Sequence, residues 1–137
     1  MAQARRDGGA GALSGRVVRA VRGATSAEHD TPEEILGSTA ELLTEVLDRN
    51  GLETDDLISI IFTMTPDLTS EFPALAARQA GLTTVPLICT SEIPVPGSLG
   101  KCIRLLLHCT VPEDRHITHV YLREAKVLRP DLAREPQ

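Results

Sequence analysis

Hydrophobic residues between positions 31 and 51 recur at helical spacing: Ile35, Leu36, Leu42, Leu43, Val46 and Leu47 fall on one stripe. Punctuation brackets that stripe. Thr31 is placed to cap, Pro32 stands at the first helical position, Glu34 can close a capping box, and Asn50-Gly51 supplies a left-handed stop. The segment predicts an amphipathic helix of about five turns. Strand patterns occupy most of the rest. Residues 17–21 form a short β-rich run stopped by Gly23, and residues 57–63 are a dense β-branched run that reads as a largely buried strand. Further strands are predicted at 85–90, 101–110 and 118–128, with a turn at Pro112-Glu113-Asp114 between the last two. Phe72-Pro73 opens a short helix through Arg78 that ends at Gly81, and Pro94-Val95-Pro96-Gly97 forces a loop.

The resulting order, β-α-β-α-β-β-β, is a mixed α/β (α+β) domain: a five-stranded mixed sheet with one long and one short helix. There is no internal repeat. One long helix covers only one face of such a sheet, so the other face needs apolar cover from a neighbouring subunit. At 137 residues the chain is sized for one domain. Residues 1–15, rich in Gly, Ala and polar residues, read as a flexible leader. Residues 16–132 form the domain, the chain is expected to be loose after Pro130, and residues 133–137 are a C-terminal tail.

Composition narrows the functional classes. Fourteen basic against nineteen acidic residues give a net charge of −5, which argues against broad electrostatic binding of nucleic acid. The only aromatics are Phe62, Phe72 and Tyr121, so a base-stacking platform is missing as well. No apolar run approaches the roughly 20 residues that span a bilayer. Three cysteines (Cys89, Cys102 and Cys109) without a CxxC pair, and the absence of a secretory pattern, read as reduced thiols in the cytoplasm. Twelve of the fourteen basic residues are Arg, so a bound carboxylate would meet guanidinium forks.

Candidate chemistry is sparse at first sight. Gly97-Ser98-Leu99-Gly100-Lys101 is not a phosphate loop, and His116 and His119 with Cys109 do not have a zinc-ligand spacing. What remains is a set of polar residues in or beside apolar strands: Arg22, Cys89, Glu92, Arg104, Tyr121 and Arg129. Alternation puts Arg104 on one face with Cys102, Leu106 and His108. Taken singly, each has a structural reading: an ion pair, a strand end, a loop carboxylate or a small core residue.

Together these residues sit in seven ordered motifs. They are Val21-Arg22-Gly23-Ala24-Thr25, Thr65-Pro66-Asp67-Leu68, Phe72-Pro73-Ala74, Cys89-x-x-Glu92, Lys101-Cys102-Ile103-Arg104, His119-Val120-Tyr121-Leu122 and Val127-Leu128-Arg129-Pro130-Asp131. From about residue 17 to 132 the chain resembles the monofunctional chorismate mutases of the trimeric pseudo-α/β-barrel type. The resemblance implies a homotrimer with active sites between subunits. It also implies rearrangement of chorismate to prephenate by an intramolecular Claisen-type shift, a step toward phenylalanine and tyrosine, without metal, cofactor or covalent intermediate.

The resemblance also assigns roles. Arg104 lies beside the ether oxygen, where negative charge builds in the transition state. Glu92 accepts from the ring hydroxyl with Cys89 beside it, and Arg22 and Tyr121 hold the side-chain carboxylate. Phe72, Ala74 and Arg78 wall the cleft from the neighbouring subunit, Leu75, Leu87 and Ile88 are further substrate-binding positions, and Leu128 and Arg129 close the cleft. Leu75 departs from the family, which often has a Lys there. Alternation sets Cys89 and Glu92 on opposite faces, so the chain is expected to twist after Cys89, helped by Pro94. The alternative function is a catalytically silent trimer of this fold that binds a small carboxylate; such binding would not require the pair Arg104 and Glu92.

Overall fold

The computed structural model describes residues 15–133, so the predicted leader (apart from Gly15) and residues 134–137 lie outside the described residues. Strand β1 runs Arg16–Ser26, helix α1 Pro32–Arg49, β2 Leu57–Met64, helix α2 Ala74–Gln79, β3 Leu87–Ser91, β4 Cys102–Pro112 and β5 Val120–Tyr121. A terminal turn of helix, α3, spans Pro130–Ala133, and short 3₁₀ segments span Thr54–Asp56 and Arg123–Val127. The five strands form one sheet in the order β3-β2-β4-β1-β5. β4 is antiparallel to both β1 and β2, while β2–β3 and β1–β5 are parallel pairs. The predicted mixed five-stranded sheet with a long and a short helix is the observed one.

The α1 termini follow from the local chemistry of their residues. Thr31 Oγ1 accepts the Glu34 amide at 3.2 Å. Glu34 does not return the bond to Thr31; its Oε1 accepts the Glu28 amide at 3.0 Å, so the capping box is only half formed. At the other end Gly51 adopts φ +60°, and the Leu52 amide donates to the Leu47 carbonyl at 2.9 Å, the closing bond of a Schellman turn. The buried stripe of α1, including Leu42, Leu43 and Val46, packs on Val21, Ile60, Phe62, Leu105 and Leu107 of the sheet.

Three expectations are corrected. Gly23 does not stop β1; the strand passes through it to Ser26. A Cβ at Gly23 would stand 3.1 Å from Val46 Cγ2 and 3.2 Å from Leu105 Cδ1, so the glycine is there to let helix and sheet approach. The predicted strand at 118–128 shrinks to Val120–Tyr121, because Arg123 turns the chain at φ +54° into a 3₁₀ segment that buries Ala125. The tail after Pro130, expected to be loose, begins as the helical turn α3.

α1 leaves one sheet face uncovered over much of its area. Val18, Ile88 and Leu106 are exposed on it, Val18 and Ile88 by more than half, beside half-buried Ile61.

Asn50, which the pattern marks only as a helix stop, ties two ends together. It is 2% exposed, and its amide nitrogen donates to the Val46 and Thr118 carbonyls while Oδ1 accepts the Thr118 amide at 2.7 Å. Asn50→Ala leaves these backbone groups without partners, so urea unfolding should show a loss of about 2–3 kcal/mol. A loss below about 0.5 kcal/mol would mean that the link to Thr118 contributes nothing.

Candidate active site

Register assembles the polar residues. Arg104 on β4 pairs across the sheet with Thr63 on one side and Ala24 on the other, and strand periodicity aims all three at the face away from α1. Glu92 follows β3, and its amide extends the ladder by donating to the Met64 carbonyl at 2.9 Å. It therefore keeps the alternation of Ile88 and Thr90 and turns to the same face. There Glu92 Oε2 accepts from Arg104 Nε at 2.9 Å and from the Thr63 hydroxyl at 2.5 Å. Both bonds fall on Oε2, and Oε1 receives none from the described residues.

These groups border a cleft of about 480 Å³ lined by Arg22, Ile61, Thr63, Arg104, Leu106, Tyr121, Leu128 and Arg129, among others. Three guanidiniums converge on it. Burial of the Arg104 guanidinium works against its charge, but the Glu92 hydrogen bond and charge outweigh that and raise its pKa further. The far wall comes from the C-terminal segment. Tyr121 is buried with Ala24, Cys102 and Ala125, and Leu128 packs against them. Cys102, on the Arg104 face, is no nucleophile: burial and then Glu92 push its thiol up to about 11.

Cys89, Phe72, Ala74, Arg78, Leu87 and Ile88 line a second cleft, of about 340 Å³, at the β3 edge of the sheet. The two clefts share no lining residue. Cys89 and Leu87 pack toward the core beneath α1. The twist after Cys89 therefore does not occur, and strict alternation keeps Cys89 and Glu92 apart. Leu75 is half-buried on α2 and does not line the second cleft. Arg129 is half-buried and pairs with Asp131 through both Nε and Nη2.

Sequence reasoning missed two residues near the first cleft. Thr63 reads as one more β-branched residue until the register sets it opposite Arg104. His119 stands in the His119-Val120-Tyr121-Leu122 motif without a role of its own, yet its Nδ1 accepts the Arg22 amide at 3.0 Å and so anchors the strand that carries Arg22. Among the described residues no group of three or more His, Cys, Asp or Glu is arranged to hold a metal.

Comparison with known proteins adds a consistent set of relatives. The family described as "Chorismate mutase type I" matches residues 18–132. Chorismate mutase AroH of Thermus thermophilus is 53% identical over 119 residues, covering 85% of this chain and 97% of that protein. Chorismate mutase AroH of Bacillus subtilis is 43% identical over 120 residues, covering 85% and 94%. A solved chorismate mutase from Clostridium thermocellum superposes with a TM-score of 0.76 at 52% identity, over 80% of this chain and 98% of that one.

The His119 contact makes a pH prediction. Burial, followed by the charges of Arg22, Arg129 and His116, holds its pKa below the ordinary 6.5. As pH falls the unfolded chain binds this proton first. The His119 contribution to stability is therefore full above about 6.5 and lost progressively below it. His119→Asn keeps an acceptor near the Arg22 amide but cannot titrate, so denaturant midpoints should fall less steeply between pH 7 and 5 than in the unsubstituted protein. Parallel slopes would show that His119 is not the responsible group.

Proposed function

The chain belongs to the chorismate mutase type I family and has its activity, conversion of chorismate to prephenate, and we propose that each active site is shared between two copies of the chain. The carrying observation is the division of the candidate residues into two clefts with no residue in common. Arg22, Glu92, Arg104 and Tyr121 gather on the open sheet face, and Phe72, Arg78 and Cys89 at the β3 edge. Seating the β3 edge of one copy against the open face of the next unites them. It also covers Val18, Ile88 and Leu106, and a cyclic trimer satisfies both needs with one repeated contact.

In such a site the chemistry follows from charge. Chorismate carries two carboxylates, and as its ether bond lengthens, negative charge grows on the ether oxygen and positive character on the ring. Arg104 is the fixed cation for that oxygen, and it acts most strongly in the transition state. Glu92 Oε1 takes the ring hydroxyl and complements the positive ring, with Cys89 of the neighbouring copy beside it. Arg22 and Tyr121 hold the side-chain carboxylate, and Leu128 and Arg129 form the closing wall. Holding the two reacting ends together supplies the remainder. No step transfers a proton to the protein, so no cofactor, general acid or general base enters this scheme. The three unpaired cysteines suit a reducing, cytoplasmic setting.

Mixing tests the shared site. Arg104→Ala disables the first cleft and Arg78→Ala the second, and each protein alone should be nearly inactive toward chorismate. Equal amounts unfolded together and refolded should recover about a quarter of wild-type turnover, because a random quarter of the pairings joins two intact clefts. No recovery from refolded, co-assembled protein would place both clefts in one chain.

A second measurement addresses charge. Citrulline at position 104 preserves the shape of arginine without its charge. Turnover should fall by about 10²–10³-fold or more while substrate still binds. Near wild-type turnover would leave conformational restriction as the whole catalytic effect.

A further inference from the structure

Two features of the Arg104–Glu92 contact need explanation. A guanidinium beside a carboxylate tends to close into a two-pronged fork, which is the strongest geometry for the pair. Arg129 and Asp131 do so here, through two bonds at 3.1 and 2.9 Å. Arg104 and Glu92 meet instead by a single bond, Nε to Oε2, although Glu92 is the less exposed of the two, with its side chain at 13% against 45% for Arg104. The second feature is the short bond from the Thr63 hydroxyl to that same Oε2.

We propose that Thr63 is a positioning residue for the rearrangement: its hydroxyl pins Glu92 by Oε2, keeping the carboxylate from closing a fork on Arg104 and leaving Oε1 for substrate. The physical reason lies in the register. Thr63 and Arg104 are cross-strand partners, so their side chains stand side by side, and Glu92 reaches in from the end of β3 to meet both. Thr63 has little freedom of its own, because a β-branched side chain in a strand is stiff at χ1. A stiff donor on one side of Oε2 and Arg104 Nε on the other fix the plane of the carboxylate. Without the hydroxyl, Glu92 swings toward the guanidinium, and a forked pair neutralises the charge meant for the ether oxygen. The proposal rests on the roles given above to Arg104 and Glu92.

The test is steady-state turnover of chorismate by Thr63→Val and Thr63→Ser beside the unsubstituted protein, with melting curves for all three. Valine preserves branching and size and removes only the donor. Thr63→Val should lower kcat by about tenfold or more with a much smaller change in KM, because the charge it masks is used in the transition state. Thr63→Ser restores the hydroxyl and should recover most of kcat. Rates are taken well below each melting temperature and per folded molecule, so that a loss of stability cannot pass for a loss of positioning. A folded Thr63→Val protein with wild-type kcat overturns the proposal, as does a Thr63→Ser protein as slow as Thr63→Val. If the unsubstituted protein itself leaves chorismate unchanged, the catalytic reading falls and this inference with it. Full turnover with an indifferent Thr63→Val removes this inference alone.

Discussion

Strand β4 is paired on both sides, to β1 over eleven residues and to β2 from Leu57 to Met64, and its two-residue alternation divides the labour of the molecule. Leu105, Leu107, Cys109 and Val111 point under α1 and are almost wholly buried. Arg104 and Leu106 point the other way. A slip of one residue would put a guanidinium under the helix and leucines at the site. Burial of the core side therefore fixes the cation on the open side, and the group proposed to act on the ether oxygen needs no separate scaffold.

In the proposed site, the contrast between the two faces gives an acidic chain a place to gather an anion. The whole sequence carries −5, yet Arg22, Arg104 and Arg129 face one cleft, against Glu92 bonded to Arg104 and Asp131 bonded to Arg129. Local potential, more than net charge, governs capture of a small dianion. Apolar groups, Ile61, Leu106, Tyr121 and Leu128, line the same cleft beside those charges.

Legibility followed the range of the interactions. The caps of α1 and the ends of α2 rest on neighbours within a few residues: the Thr31–Glu34 bond, Gly51 at φ +60° and Gly81 at φ +99°. Such features can be read along a chain. Gly23 could not be, since its purpose depends on Val46 and Leu105, which are distant in sequence. Residues 118–128 have strand-like composition, yet the left-handed Arg123 breaks them, with its guanidinium bonded to the Ser26 carbonyl and Ser38. At the site, ordered motifs were enough to list residues but not to place them. Strict alternation around Cys89 holds in the structure, and the twist expected after Cys89 to bring it to the face of Glu92 does not exist. Thr63 could be found only from the pairing of β2 with β4.

The C-terminal wall of the first cleft hangs on little. β5 pairs with β1 at only two positions, Gly23 with Val120 and Ala24 with Tyr121. Beyond it the Leu122 amide reaches the Ala24 carbonyl, and the Glu124 amide and Arg123 guanidinium reach Ser26. The β1–β4 ladder beneath is many times longer. Amides from Leu122 to Arg129 are thus expected to exchange with solvent faster than those along β4, since a short ladder can open as a unit while the core stays shut. Displacing the segment that carries Leu128 and Arg129 therefore costs two ladder pairings and a few bonds to β1, while β4 keeps both of its partners.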